Sequence, residues 1–174
     1  PDTNADAYHH IHDLYIDEFR GTGRHGIYLH AGSGDNNRGN IIDRIQIRDT
    51  TSGSGIYLNA ASDSFISNCH VGGSGLYGYH IATVNTKISN CKSFYSNTAG
   101  FYFSSGRGIV SGCESQDDDT GFYFDASPYA ASGLIADTSN VAGIRVSTSV
   151  MVLVGFNVFR VIAPHARHEN QPSG

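Results

Sequence analysis

The sequence has no apolar run of membrane-spanning length: Val150 to Val154 is far too short for a helix that crosses a bilayer. It has no concentration of positive charge. The net charge is -5 and is spread along the chain, so nucleic acid and membrane are both excluded as expected partners. Only three cysteines occur, with neither C-x-x-C nor zinc-type spacing, which leaves redox and zinc-ribbon readings without residues. No window joins helix caps to a 3.6-residue apolar period. No regular threonine column exists to make an ice-binding face. A signal peptide is missing and the first residue is Pro1 rather than Met, so the expectation is a mature or excised segment of something longer.

What is present is a repeat. Gly26-Ile27-Tyr28-Leu29, Gly55-Ile56-Tyr57-Leu58, Gly78-Tyr79-His80-Ile81, Gly100-Phe101-Tyr102-Phe103, Gly121-Phe122-Tyr123-Phe124 and Gly143-Ile144-Arg145-Val146 share one pattern. Their glycines lie 29, 23, 22, 21 and 22 residues apart. A second column, Ile66-Ser67-Asn68-Cys69, Ile88-Ser89-Asn90-Cys91 and Val110-Ser111-Gly112-Cys113, carries every cysteine at intervals of 22. Ile45-Gln46-Ile47 and Ile135-Ala136-Asp137-Thr138 read as the same segment one turn earlier and one turn later. A fixed period in the low twenties marks a solenoid.

Around each glycine the apolar residues alternate with period two, which is a strand with one buried face. Gly, Ser, Asn and Asp fill the intervals with turn chemistry. About 22 residues hold two or three short strands but not a strand, a helix and their loops. The expected fold class is therefore all-β: a single-stranded parallel β-helix of about seven turns. With 174 residues and 39% hydrophobic composition, one domain with a core is expected. Its boundaries read as a loose segment at 1–7, the coil at 8–162 and a polar tail at 163–174. The three cysteines read as a buried stack.

The pattern resembles the right-handed β-helices of the pectate-lyase-like superfamily, which includes polysaccharide lyases, glycoside hydrolases and phage tailspikes, over roughly residues 8 to 160. The resemblance implies a right-handed coil, a polysaccharide partner and an extracellular or virion-surface setting. Gln116-Asp117-Asp118 and Arg24-His25-Gly26-Ile27 look like fragments of the polygalacturonase motifs Q-D-D and G-H-G-I. They stand here in reversed order, and the N-T-D and R-I-K elements and the D-P-H motif of alginate epimerases are missing. No catalytic residue is carried over from those families.

The candidate site comes instead from strand facing. The residue between the two buried positions points outward, giving a column Tyr28, Tyr57, His80, Tyr102, Tyr123, Arg145. Two positions on runs a second column, His30, Asn59, Ala82, Ser104, Asp125, Ser147. Neighbours in a column stand about 4.8 Å apart, close to the length of one hexose. Three explanations compete for such a strip. Its rings stack on sugar faces, or it is the seam of a homotrimer, or the tyrosines stack on one another between turns. Tyr28, His30, Tyr57 and Asn59 are the substrate-binding candidates. Catalysis is placed where the strip gains charge, at His80, Tyr102, Tyr123, Asp125 and Arg145. A lyase would use Arg145 to neutralise a uronate carboxylate, with Tyr or His as acid and base. A hydrolase would pair Asp125 with Asp117, Asp118 or Asp119.

The expected function is recognition, extending to cleavage, of a polysaccharide. The alternative is a non-catalytic trimerising shaft. No metal centre or cofactor is assigned, although the acidic run Asp117–Asp119 has the oxygen donors that hold Ca²⁺. His10 and His12 share a face at a chelating spacing, without an evident third ligand. The polar loop Ala31–Gly39 leaves the regular stack, as binding loops and tolerated insertions both do. The apolar segment from Val150 to Ile162 reads as a last turn buried on both faces or as a surface packed on another subunit.

Overall fold

The computed structural model describes residues 8–19, 21–32, 37–126, 129–148 and 151–158, the Met151 side chain excepted. Among these every regular element is a strand. In chain order they are β1 (His10–Ile16), β2 (Ile27–His30), β3 (Asn37–Arg38), β4 (Ile41–Arg48), β5 (Ile56–Asn59), β6 (Ala61–Ser62), β7 (Phe65–Ser67), β8 (His70–Gly72) and β9 (Tyr77–Ala82). They continue with β10 (Thr86–Ser89), β11 (Lys92–Phe94), β12 (Ala99–Phe103), β13 (Gly108–Ser111), β14 (Glu114–Gln116), β15 (Thr120–Phe124), β16 (Tyr129–Asp137), β17 (Ala142–Val146) and β18 (Met151–Val158).

All pairing is parallel and joins each turn to the next, so the chain is a parallel β-solenoid with three faces. The first face is the sheet β2-β5-β9-β12-β15-β17, built from the glycine-anchored repeats. The second stacks β7, β10 and β13, and the third stacks β8, β11 and β14. The long strands β4 and β16 run through the corner between these two faces and join them into one sheet of ten strands. The six strands of the first face bound five complete turns, fewer than the seven expected. Among the described residues, the coils at β1 and β18 add no strand to the first face.

One residue turns the corner between the second and third faces. Asp13, Arg44, Asn68, Asn90, Gly112, Gly133 and Gly155 stand in one column, each with φ between 52° and 60°. That left-handed region favours Gly and is tolerated by Asn and Asp, which is why the column is rich in them. The corner also corrects the sequence register. Ile66 pairs with Ile42, and Val110 with Ala131, so the segments above and below the cysteine repeats are Ile42–Ile45 and Ala131–Leu134. Ile45–Ile47 and Ile135–Thr138 belong to the third face. Alternating apolar residues occur on both sides of this corner, and only the left-handed residue tells them apart.

The core fills the lumen in rows. Tyr79, Phe101 and Phe122 stack with ring centroids 4.5 and 4.8 Å apart, beside Phe103 and Phe124 at 4.7 Å. Tyr79 is fully buried because its hydroxyl donates to the carbonyls of Cys69 at 2.8 Å and Lys92 at 3.1 Å. The cysteines form the expected buried, unbridged stack. The ends are less covered: Leu29 and Ile144 are half-buried and Val146 is exposed, since among the described residues no further strand of the first face lies over them. Along β18, Val152, Val154, Phe156 and Val158 are all exposed, so this segment is not a last turn buried on both faces. It pairs with β16 on one edge. Residues 1–7, 33–36 of the polar loop, Val150 and 159–174 lie outside the described residues.

The anchor glycines are there because the first and third faces converge beside them. A Cβ on Gly55 would stand 2.1 Å from Val71 Cγ1 and 2.9 Å from the Gly78 carbonyl oxygen. On Gly100 it would stand 2.3 Å from Asp118 Oδ2. Overpacking of this kind costs about 1–3 kcal/mol. Gly55→Ala is expected to lose that much in urea unfolding, against an exposed control such as Ala130→Ser; equal midpoints would remove the steric account.

Candidate functional site

The outward residues of the first face form one continuous ladder. Strand register places Tyr28 beside Tyr57, Tyr57 beside His80, His80 beside Tyr102, Tyr102 beside Tyr123, and Tyr123 beside Arg145. Ring centroids along it are 5.1, 4.3, 5.0 and 5.0 Å apart, and the Arg145 guanidinium carbon sits 4.4 Å over the Tyr123 ring. His30 and Asn59 continue the second column beside it. All five residues proposed for catalysis, and all four proposed for binding, therefore share one face.

The rings are stacked on each other. Tyr57 and His80 are nearly parallel at 3°, and the other steps of the ladder are inclined by 25–34°. Most ring faces are thus taken by the rungs above and below, and the ladder offers edges and hydroxyls. Faces that are covered by a neighbouring ring are closed to flat stacking of a sugar. The polar groups are already linked. Tyr102 donates to Asp125 Oδ2 at 3.1 Å, Tyr123 to Asp125 Oδ1 at 3.2 Å, Asn59 to the Tyr28 hydroxyl at 3.3 Å, and His80 Nε2 lies 2.9 Å from Ser104 Oγ.

Two shifts bear on chemistry. Burial, with His25 nearby, pushes the His80 imidazole down to about 4. Burial, with the Asp125 hydrogen bond second, pushes the Tyr102 phenol up to about 12. Both groups stay neutral near pH 7, far from the matched pKa that proton transfer favours.

The pair of carboxylates a hydrolase needs is not assembled. Asp118 is fully buried in the lumen. It accepts from the Ser96 amide at 2.6 Å, from Ser93 Oγ at 3.2 Å and from Ser115 Oγ at 2.5 Å. Asp119 is bound by Asn140 at 2.9 Å and stands at the opposite end of β15 from Asp125. Six extended residues put the two roughly 20 Å apart. The inward turn of Asp118 also breaks up the acidic run as a Ca²⁺ cradle. Among the described residues no three His, Cys, Asp or Glu side chains converge as a metal site. His10 and His12 do share a face, with centroids 4.4 Å apart, and His12 Nδ1 faces Asp13 at 2.7 Å.

Two aromatic residues escaped the alternation argument. Tyr77 stacks on Tyr102 at 4.5 Å, and His25 packs 4.8 Å from Tyr57 while accepting from the Ser54 amide. Tyr77 has the parity of buried Tyr79, but it lies at the corner, where alternation stops. His25 directly precedes an anchor glycine, as Tyr77 does, and Ser54, Ala99, Thr120 and Ala142 fill that position in the other repeats.

Fold and site together define a parallel β-solenoid module with an aromatic ladder on one flat face. The family profile described as Right handed beta helix region matches residues 12–159, and the chain belongs to that family. Neither curated proteins nor solved structures contain a match.

Proposed function

We propose that this β-helix binds a hydroxyl-rich polysaccharide along the aromatic ladder and acts by recognition rather than cleavage. One observation carries the reading: six side chains in unbroken register present polar edges at strand spacing along one face. Five intervals make a track of roughly 24 Å, long enough for several sugar units. The neutral state of His80 and Tyr102 and the distant second carboxylate count against cleavage. An extracellular or virion-surface setting goes with such a ligand.

The test is a glycan array and a depolymerisation screen on the wild type beside Tyr102→Ala/Tyr123→Ala, with circular dichroism as the fold control. Binding is expected to weaken about tenfold or more in the variant, a loss of about 1.4 kcal/mol, with no shortened product from either protein. Equal binding would remove the ladder from the reading; product from the wild type alone would restore catalysis to it. A trimerising shaft is the second reading, favoured by the exposed apolar row along β18. A sedimenting trimer in which the tyrosines are protected would support it.

A further inference from the structure

The second face carries an outward column that the tyrosine pattern does not reveal. Phe65, Lys87, Ile109, Ala130 and Val152 stand in consecutive register. Phe65 and Ile109 are each 45% exposed and Val152 60%. They floor a groove of about 510 Å³ along the corner that separates this face from the first. That volume falls within the range of small-molecule sites. Its wall includes Thr86, whose buried hydroxyl has no hydrogen-bond partner.

The charges at the groove are asymmetric. Lys87 and Arg107 both line it, and among the described residues neither has a carboxylate within ion-pair distance. Lys87 rests on the Phe65 ring, 5.0 Å from its centroid. The one acidic residue of the lining, Asp63, accepts from Asn85 at 2.9 Å. Asp63, Asn85 and Arg107 occupy the same corner on successive turns, which puts Asp63 roughly 10 Å from Arg107. Two unpaired cations beside an apolar floor, in a chain of net charge -5, complement a ligand with one anionic end and one hydrocarbon end.

We propose that this groove binds a small amphipathic carboxylate, its chain on Phe65, Ile109, Ala130 and Val152 and its anionic end at Lys87 and Arg107. The site is separate from the ladder and stands whether or not the ladder takes glycan. Octanoate and 1-octanol serve as probes, titrated into the whole chain while Ile and Val methyl resonances are followed.

Saturable shifts at Ile109 and Val152 are expected, with octanoate binding about tenfold tighter than octanol, the worth of one good charge contact. Lys87→Gln/Arg107→Gln should remove that advantage and leave octanol unchanged. Ile109→Glu, at an exposed position, should abolish octanoate binding with the circular dichroism spectrum retained; should that variant fail to fold, the double glutamine variant decides. Four results would overturn the site: no shift at these methyls at about 10 mM ligand, equal affinity for acid and alcohol in the wild type, undiminished octanoate binding in either variant, or shifts confined to Val154 and Val158 at the end of β18.

Discussion

Phe101→Ala is expected to lower the stability of the coil by about 3–5 kcal/mol in urea denaturation, the cost of emptying a ring-sized site in a closed core. Phe101 is fully buried between Tyr79 and Phe122, nearly parallel to both at 1° and 10°. No neighbour can collapse into the gap without leaving its own rung, because each is held by strand pairs above and below. The informative contrast is one residue away. Tyr102 points outward and is half-buried, so Tyr102→Ala should cost about 1 kcal/mol, the surface-pair scale. Phe101→Leu, which keeps most of the volume, should fall near 1.5 kcal/mol or below. Similar losses for Phe101→Ala and Tyr102→Ala would contradict the inward and outward facing on which both fold and ladder depend.

Asp118→Asn is expected to stabilise the protein at neutral pH and to make no difference below pH 4. Burial pushes the Asp118 carboxyl up to about 6 from an ordinary 3.8, against the lowering effect of hydrogen bonds from Ser115, Ser96 and Ser93. A raised folded pKa means that the folded chain keeps a proton which the unfolded chain has lost. Stability from this group is therefore complete below the unfolded value and falls as pH rises through the window from about 4 to about 6. The difference corresponds to about 3 kcal/mol once both states have ionised. Asparagine removes the charge and keeps the shape, its carbonyl accepting from the Ser96 amide and its amide donating toward Ser115. Denaturant midpoints of wild type and variant, measured from pH 4 to pH 7, should diverge as pH rises. His80, whose pKa moves down, gives a slope of the opposite sign in the same range, but it is common to both proteins and cancels in the comparison. Parallel curves would place Asp118 in contact with water.

The same carboxylate shows where sequence reasoning ends. Gln116-Asp117-Asp118-Asp119 reads as a solvated acidic run, and nothing local says that its middle member turns inward. Thr50, Ser74, Ser96 and Ser139 are likewise buried at the corresponding corner. Read in that column, Asp118 replaces a small hydroxyl residue. The column becomes visible only when the register of that corner is known, and the left-handed residues Asp49, Gly73, Tyr95, Asp117 and Thr138, each directly before a member of the column, set it. The groove on the second face was hidden for the same reason: Phe65, Lys87, Ile109, Ala130 and Val152 share no residue type and become neighbours only through pairing.

By itself the sequence determined the repeat, the all-β class, the anchor strands, the inward cysteine stack and the identity of every residue on the outward ladder. It could do so because strand parity and a period near 22 are one-dimensional properties that survive in residue type. Tertiary structure alone decided how many turns close, which segment stacks above the cysteine repeats, and that the ladder's ring faces are spent on one another. It alone buried Asp118, separated Asp119 from Asp125 and opened the groove. Each of these depends on where the chain bends and what then lies about 4.8 Å away, and parity carries no record of a corner.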